Sequence, residues 1–271
     1  IDRYSLNTLA LLKYVAIYSL AYKISSVLKL VVVDSIKMAI TPMVMQKMNS
    51  PDNKRYYSKT LLYSSFVLML GIIALSLFSY EIIKVISRSA EFWIAFIVVP
   101  LLSLSVFFTN MRETSTYGLI IKKKTGIVGF NVVASSILNI ILNIILIPRW
   151  NIMGAAVATI ITQFFYWLLN YYFSQKEYYI PYELKKVALM FLCGAILSFA
   201  GLLINDMHIV SRLLIKTACV ISFPLILFLF KFYEPAELQA IRGFISKWSD
   251  LRNFRKNLRS LINNQESKYS N

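Results

Sequence analysis

The sequence has one histidine, His208, and two cysteines, Cys193 and Cys219, far apart and each inside an apolar run. A lone histidine excludes a histidine-based metal cluster and a Ser-His-Asp triad. Two isolated cysteines fit neither a disulfide framework nor a thiolate metal site. Glycine is scarce, at 8 of 271 residues, and no Gly-rich phosphate loop or nucleophile–base pair can be read. These absences argue against an enzyme, with no catalytic residue, cofactor or metal expected; a membrane transferase using loop carboxylates is not removed by them. Acidic residues are also few, 13 against 29 Lys and Arg, and no secretory signal pattern opens the chain.

What is present is apolar. Hydrophobic residues make up 58% of the chain and charged residues 15%, with a mean hydropathy of +0.61. Soluble domains run at about 45–50% apolar and about 25% charged, so the composition is that of an all-α integral membrane protein. The net charge of +16 then reads as loop charge and attraction to anionic lipid rather than as nucleic-acid binding.

Seven spans can be drawn: a long first stretch at 9–46, then 60–80, 92–111, 126–147, 152–173, 187–204 and 209–230. The loops 46–59, 112–125 and 174–186 are rich in Lys and Arg, as is the tail after 230, whereas the alternate loops carry few. The positive-inside rule places the rich loops and the tail in the cytoplasm and Ile1 outside, as expected of a multi-pass plasma (inner) membrane protein. The chain begins at Ile1 rather than Met, which reads as the C-terminal part of a longer protein.

The first stretch carries charges where a membrane helix has few. At about 100° per residue, Ser19, Lys23, Ser26, Asp34, Lys37 and Thr41 fall on one stripe, with Lys29 off it. A charge at the centre of a span costs roughly 2.5–3.5 kcal/mol, so a polar stripe reads as the wall of a wet cavity or a buried seam. The competing reading is that lysines snorkel to the headgroups, with Asp34 and Lys37 paired as i, i+3 neighbours.

Span 126–147 has a second stripe, Asn131, Ser135, Asn139 and Asn143. It reads either as interhelical hydrogen-bonding glue or as a cavity lining that holds sugar. Gly154, Ala158 and Thr162 form a small-residue packing face on the next span. In the tail, Leu238, Ile241, Ile245, Trp248, Leu251, Leu258 and Leu261 recur at helical spacing between basic residues. That pattern fits an amphipathic helix lying on the cytoplasmic leaflet or a charged helix packing on a partner.

Asp2-Arg3-Tyr4 followed by AIYSLAYKISSVLK, then GLIIKKKTG, then LNIILNIILIPRWNIMGAAVATIIT, resemble the polysaccharide flippases of the multidrug/oligosaccharidyl-lipid/polysaccharide exporter superfamily. The words are individually common in membrane proteins; their order and spacing from Asp2 to Tyr172 carry the resemblance. It implies two pseudo-symmetric lobes, of which residues 1–175 would be helices of the second. Residues 176–231 would be two extra transmembrane helices, and 232–271 a basic cytoplasmic tail. It also implies alternating access, moving an anionic, polyprenyl-pyrophosphate-linked oligosaccharide across the membrane. The missing N-terminal lobe and polysaccharide polymerase machinery are the implied protein partners. Lys23, Asp34, Lys37, Arg3, Asn139 and Asn143 are the implied cavity residues. A drug/cation antiporter, a lipid-linked peptidoglycan-precursor flippase and a non-transport membrane protein are the alternatives.

Overall fold

The computed structural model describes residues 2–9, 12–46, 50, 52–87, 89–205, 207–235, 237–239 and 243. Every secondary-structure element among them is helical. In chain order these are α1 (Asp2–Leu9), α2 (Leu12–Leu28), a π-helical segment (Lys29–Asp34) and α3 (Ser35–Gln46). Next come α4 (Asn53–Leu77), α5 (Ser79–Ile86), a 3-10 segment (Ala90–Ile97), α6 (Val99–Ser115) and α7 (Tyr117–Ile121). The chain continues with α8 (Thr125–Glu177), α9 (Leu184–Ala200), a 3-10 turn (Gly201–Leu203) and α10 (Ile209–Leu229). The many Val and Ile residues do not prevent this, because a chain in lipid must satisfy its own backbone and a helix does so within one segment.

Among the described residues, four helices are long and apolar enough to cross a membrane: Asn53–Leu77, Thr125–Glu177, Leu184–Leu203 and Ile209–Leu229. Ala90–Ile97 and Val99–Ile121, bent by 44°, make a fifth when counted as one span. This is fewer than the seven expected, for two physical reasons. Stretch 9–46 is divided into α2, the π segment and α3, the longest piece having 17 residues. The expected spans 126–147 and 152–173 run together in α8, whose helical geometry is interrupted at Asn151 (φ 47°, ψ −124°).

α8 doubles back at that point. Asn139 Nδ2 donates to Thr162 Oγ1 at 3.4 Å, and these two residues are nearly equidistant from Asn151 in sequence. A Cβ at Gly154 would meet the Leu146 carbonyl oxygen at 2.3 Å, so only glycine lets the arms approach this closely at the turn. Asn151 itself takes a positive φ that few residues other than glycine adopt.

α6 lies at the centre, packed against α2, α4 and α8. Between Val99 and Met111 only Leu101 escapes full burial, as expected of a helix enclosed on all sides. Polar side chains near its middle meet polar partners: Ser103 Oγ donates to Ser25 Oγ (3.3 Å), and Asn110 Nδ2 to Ser64 Oγ (3.0 Å) and Ser65 Oγ (3.2 Å). The exterior is the reverse. On the first arm of α8, Phe130, Val133, Ile137, Ile141 and Ile144 are exposed while Asn131, Ser135, Asn139 and Asn143 are buried. Polar inside and apolar outside is the arrangement that a bilayer, not water, stabilises. In the loop before α9, Glu183 pairs with Lys59 (2.7 Å) and Lys186 (2.6 Å). Burial pushes its carboxyl pKa up, but the two ammonium groups more than offset this and hold it below the usual range.

Residues 224–271 form a separate unit. There α10 ends with Lys231 at φ 52°, Lys231 N–H donating to Phe228 (3.1 Å) and Phe232 N–H to Leu227 (3.1 Å), a Schellman cap with lysine in the usual glycine position. A new helical turn starts at Pro235, with Glu237 reaching back to the Glu234 N–H at 2.8 Å. The remainder of the expected tail helix, Ile241 to Leu261, lies outside the described residues apart from Gly243, as do Lys47, Arg88 and Asp206.

Candidate functional site

Two adjoining polar clefts lie among α1, α2, α6 and α8. The first, about 110 Å³, is lined by Ser26, Lys29, Ser105, Thr109, Arg112 and Gln163, among others. The second, about 230 Å³, is lined by Asp2, Ser135, Asn139, Thr162, Gln163 and Tyr166, among others. Tyr22, Thr159 and Gln163 belong to both walls, so a polar path runs from one to the other through apolar helices.

The first cleft is cationic. Lys29 is exposed into it from the π segment, and Arg112 comes from the last turn of α6. Arg112 donates to Gln163 Oε1 at 3.3 Å, stacks over the Tyr166 ring at 4.4 Å and pairs with Glu113. Gln163 Oε1 also accepts from Thr109 at 3.4 Å. These contacts fix the guanidinium at the cleft wall, whereas Lys29 carries no ion pair among the described residues.

The second cleft is organised around a carboxylate. Asp2 accepts from Tyr18 OH (3.0 Å), Thr159 Oγ1 (2.8 Å) and Asn143 Nδ2 (2.9 Å). Asn143 Nδ2 also donates to Asn139 Oδ1 at 3.2 Å. The four helical segments that meet here are α1, α2 and the two arms of α8.

The structure distributes the residues of the polar stripe differently from uniform α-helical geometry. A π turn bonds i to i+5 and takes up roughly one residue more than an α turn, so the phase beyond Lys29 departs from that computed at 100° per residue. Lys23 is exposed on α2 and lines neither cleft, while Lys29 does line one. Asp34 is half-buried and does not pair with Lys37, whose ammonium instead meets Glu113 at 2.7 Å. Arg3 is exposed and sits over the Tyr22 ring at 5.0 Å, beside both clefts. Asn139 and Asn143 are brought together with each other and with Asp2; Lys23, Asp34 and Lys37 are not brought to them.

Three groups escaped the sequence reading. Asp2 and Arg112 were flanks of apolar stretches and became site residues only through contacts far along the chain. Lys216, inside α10, is fully buried and donates to both oxygens of Glu81 and to Asn205 Oδ1, each at 2.9 Å. Its i, i+4 spacing from Arg212, which also reaches Glu81 (2.8 Å), was the available signal.

Comparison with protein families, curated proteins and solved structures finds no match.

Proposed function

We propose that the chain is part of a membrane transporter that moves an anionic, lipid-linked oligosaccharide across the plasma membrane by alternating access. The observation that carries this reading is the first cleft. Lys29 and Arg112 face a polar space bounded by Ser26, Ser105 and Gln163, and a diphosphate-linked sugar presents the complementary charge and hydroxyls. In this reading the two arms of α8 count as separate crossings and the stretch from α2 to α3 as another, giving seven. The exposed Lys23 and Arg3 then face a second lobe rather than lipid, and the Lys/Arg-rich loops face the cytoplasm. Asn139 and Asn143 serve the second cleft rather than the sugar.

One observation favours the drug or cation antiporter as a second reading, namely the Asp2 carboxylate at the cleft wall. The two cations of the first cleft favour the anionic substrate.

The test is surface-polysaccharide export in a full-length background, with membrane protein level measured alongside. Removing one charge-assisted contact costs about 1.5–3 kcal/mol, so Lys29→Ala lowers export about tenfold or more at an unchanged protein level. Lys23→Ala has a smaller effect. Normal export from Lys29→Ala and from Arg112→Lys would sink the substrate assignment.

A further inference from the structure

At the end of the bundle where the Lys/Arg-rich loops gather, three chain segments converge on one aromatic ring. Tyr178 closes the C-terminal end of α8, its N–H donating to the Ser174 carbonyl at 2.7 Å. Its hydroxyl donates to Asn53 Oδ1 at 3.1 Å, at the start of α4. α7 seats directly on this end of α8. A Cβ at Gly118 would meet Ser174 Oγ at 2.2 Å and the Tyr178 carbonyl oxygen at 3.3 Å, so glycine permits the approach. α7 then ends in a cap, Lys123 N–H donating to Ile120 (2.9 Å) and Lys124 N–H to Leu119 (2.8 Å). The ring is thereby held among α4, α7 and α8, and two of these segments bring a lysine to it. Lys54 Nζ lies 5.2 Å from the ring centroid and Lys122 Nζ 5.8 Å.

These two ammonium groups lack an acid. Among the described residues neither forms an ion pair: Glu177 meets Lys124 at 3.9 Å, and Glu183 is taken by Lys59 and Lys186. Lys54 and Lys122 are exposed, and Tyr178 is half-buried. A ring quadrupole attracts each cation without neutralising it, and two like charges at one ring repel. One anion with oxygens to share would satisfy both. The place is also interfacial. α4 starts and α8 ends here, and both are long and apolar enough to cross a membrane. Tyr179, beside the ring, and Tyr172, in the last turns of α8, are exposed, as are the aromatics that sit at headgroup depth.

We propose that Lys54, Lys122 and the Tyr178 ring form a binding site for the phosphate of an anionic phospholipid. A phosphodiester carries one negative charge on two unesterified oxygens, enough to engage two ammonium groups. Basic pockets between membrane helices hold anionic headgroups in this way. The occupant is a lipid rather than a dissolved phosphate. Exposed lysines hold an anion weakly in water, whereas a bilayer presents headgroups at high local concentration beside α4 and α8. A bound headgroup joins the start of α4 to the loop between α7 and α8, so it fastens segments that are distant in sequence. The site lines neither cleft and needs no transport reading. It gives the attraction to anionic lipid a location, where net charge gives only a sign.

The test is lipid binding by the purified full-length protein in non-ionic detergent, read by native mass spectrometry and by melting temperature. Phosphatidylglycerol should be retained and should raise the melting temperature. Phosphatidylcholine, whose phosphate is balanced within its own headgroup, should do neither. Lys54→Ala with Lys122→Ala should weaken phosphatidylglycerol binding about tenfold or more. Lys176→Ala with Lys185→Ala removes the same charge from the same end of the bundle and should change binding less than about threefold. All four lysines are exposed, so these variants keep their packing. Tyr178→Leu alters no charge and should weaken binding, whereas Tyr178→Phe keeps the ring and should retain it. An equal loss from the two lysine pairs would reduce the effect to diffuse attraction and overturn the site. So would full binding by Lys54→Ala with Lys122→Ala, equal retention of the two lipids by wild type, or displacement of phosphatidylglycerol by millimolar inorganic phosphate.

Discussion

Two carboxylates are sunk among apolar helices of this protein, Glu81 and Asp2, and their neighbours are opposite in kind. Glu81 is gripped by Lys216 and Arg212 and backed by Tyr80, whose ring lies under Arg212 at 5.1 Å. Among the described residues Asp2 meets only neutral donors. The first arrangement carries its own compensating charge and leaves nothing for a ligand to supply. The second is held through hydrogen bonds from neutral groups. A buried carboxylate in such a protein is therefore not one kind of feature: the groups within hydrogen-bonding reach decide whether it joins helices through opposite charge or through neutral donors.

The largest effect that could break this contrast is at Glu81. Glu81→Ala strands a fully buried ammonium and a guanidinium, and loss of one partner of a buried pair costs about 3–5 kcal/mol. Thermal unfolding in nanodiscs should show a drop of that size. Replacing the whole cluster, Glu81→Leu with Arg212→Met and Lys216→Met, should recover most of it, because no charge is then left alone. A loss below about 1 kcal/mol for Glu81→Ala would place this cluster among weak exposed pairs and erase the contrast.

Asp2→Asn sharpens the comparison from the other side. It removes a charge that no cation among the described residues compensates and keeps side-chain hydrogen bonding, so its effect on thermal unfolding should stay within about 1 kcal/mol of zero. The smallest effect is at the turn that brings Asn143 and Thr159 to Asp2. Asn151 holds a backbone conformation that costs a non-glycine residue about 1–3 kcal/mol, and glycine returns part of that as unfolded-state entropy. Asn151→Gly should raise stability by a few tenths to about 1 kcal/mol, read from the melting temperature.

Much of the helical, membrane-compatible character was legible in sequence, because composition and run length carry it directly. The α8 turn was legible as well: IPRWN interrupts two apolar runs, and Gly154 opens the small-residue face that packs on the first arm. The phase of the first polar stripe was not. A π segment is one residue too many in an otherwise helical pattern, and Lys29–Asp34 has no Pro or Gly to announce it. That segment shifts the phase of Asp34 and Lys37 relative to Lys23; that the fold presents Lys29 rather than Lys23 to the cleft follows from which face of α2 meets α6 and α8, which spacing does not record. The partners of Asp2, Arg112 and Lys216 were illegible for another reason. Glu81 and Lys216 are 135 positions apart, and Asp2 and Asn143 are 141 apart. No local pattern records contacts at that range.

The doubled-back α8 has a consequence for how the protein is made. Delivered alone to the translocon, the first arm would present Asn131, Ser135, Asn139 and Asn143 to lipid, each with polar groups that hydrocarbon cannot satisfy. The turn at Asn151 is so short that the second arm follows within a few residues of synthesis. The two arms can then leave the translocon as one folded hairpin, with Asn139 already joined to Thr162. Lengthening that turn with a polar linker would separate the two insertion events. The defect would appear during biogenesis, as a first arm retained at the translocon or mis-threaded, before any cleft had formed.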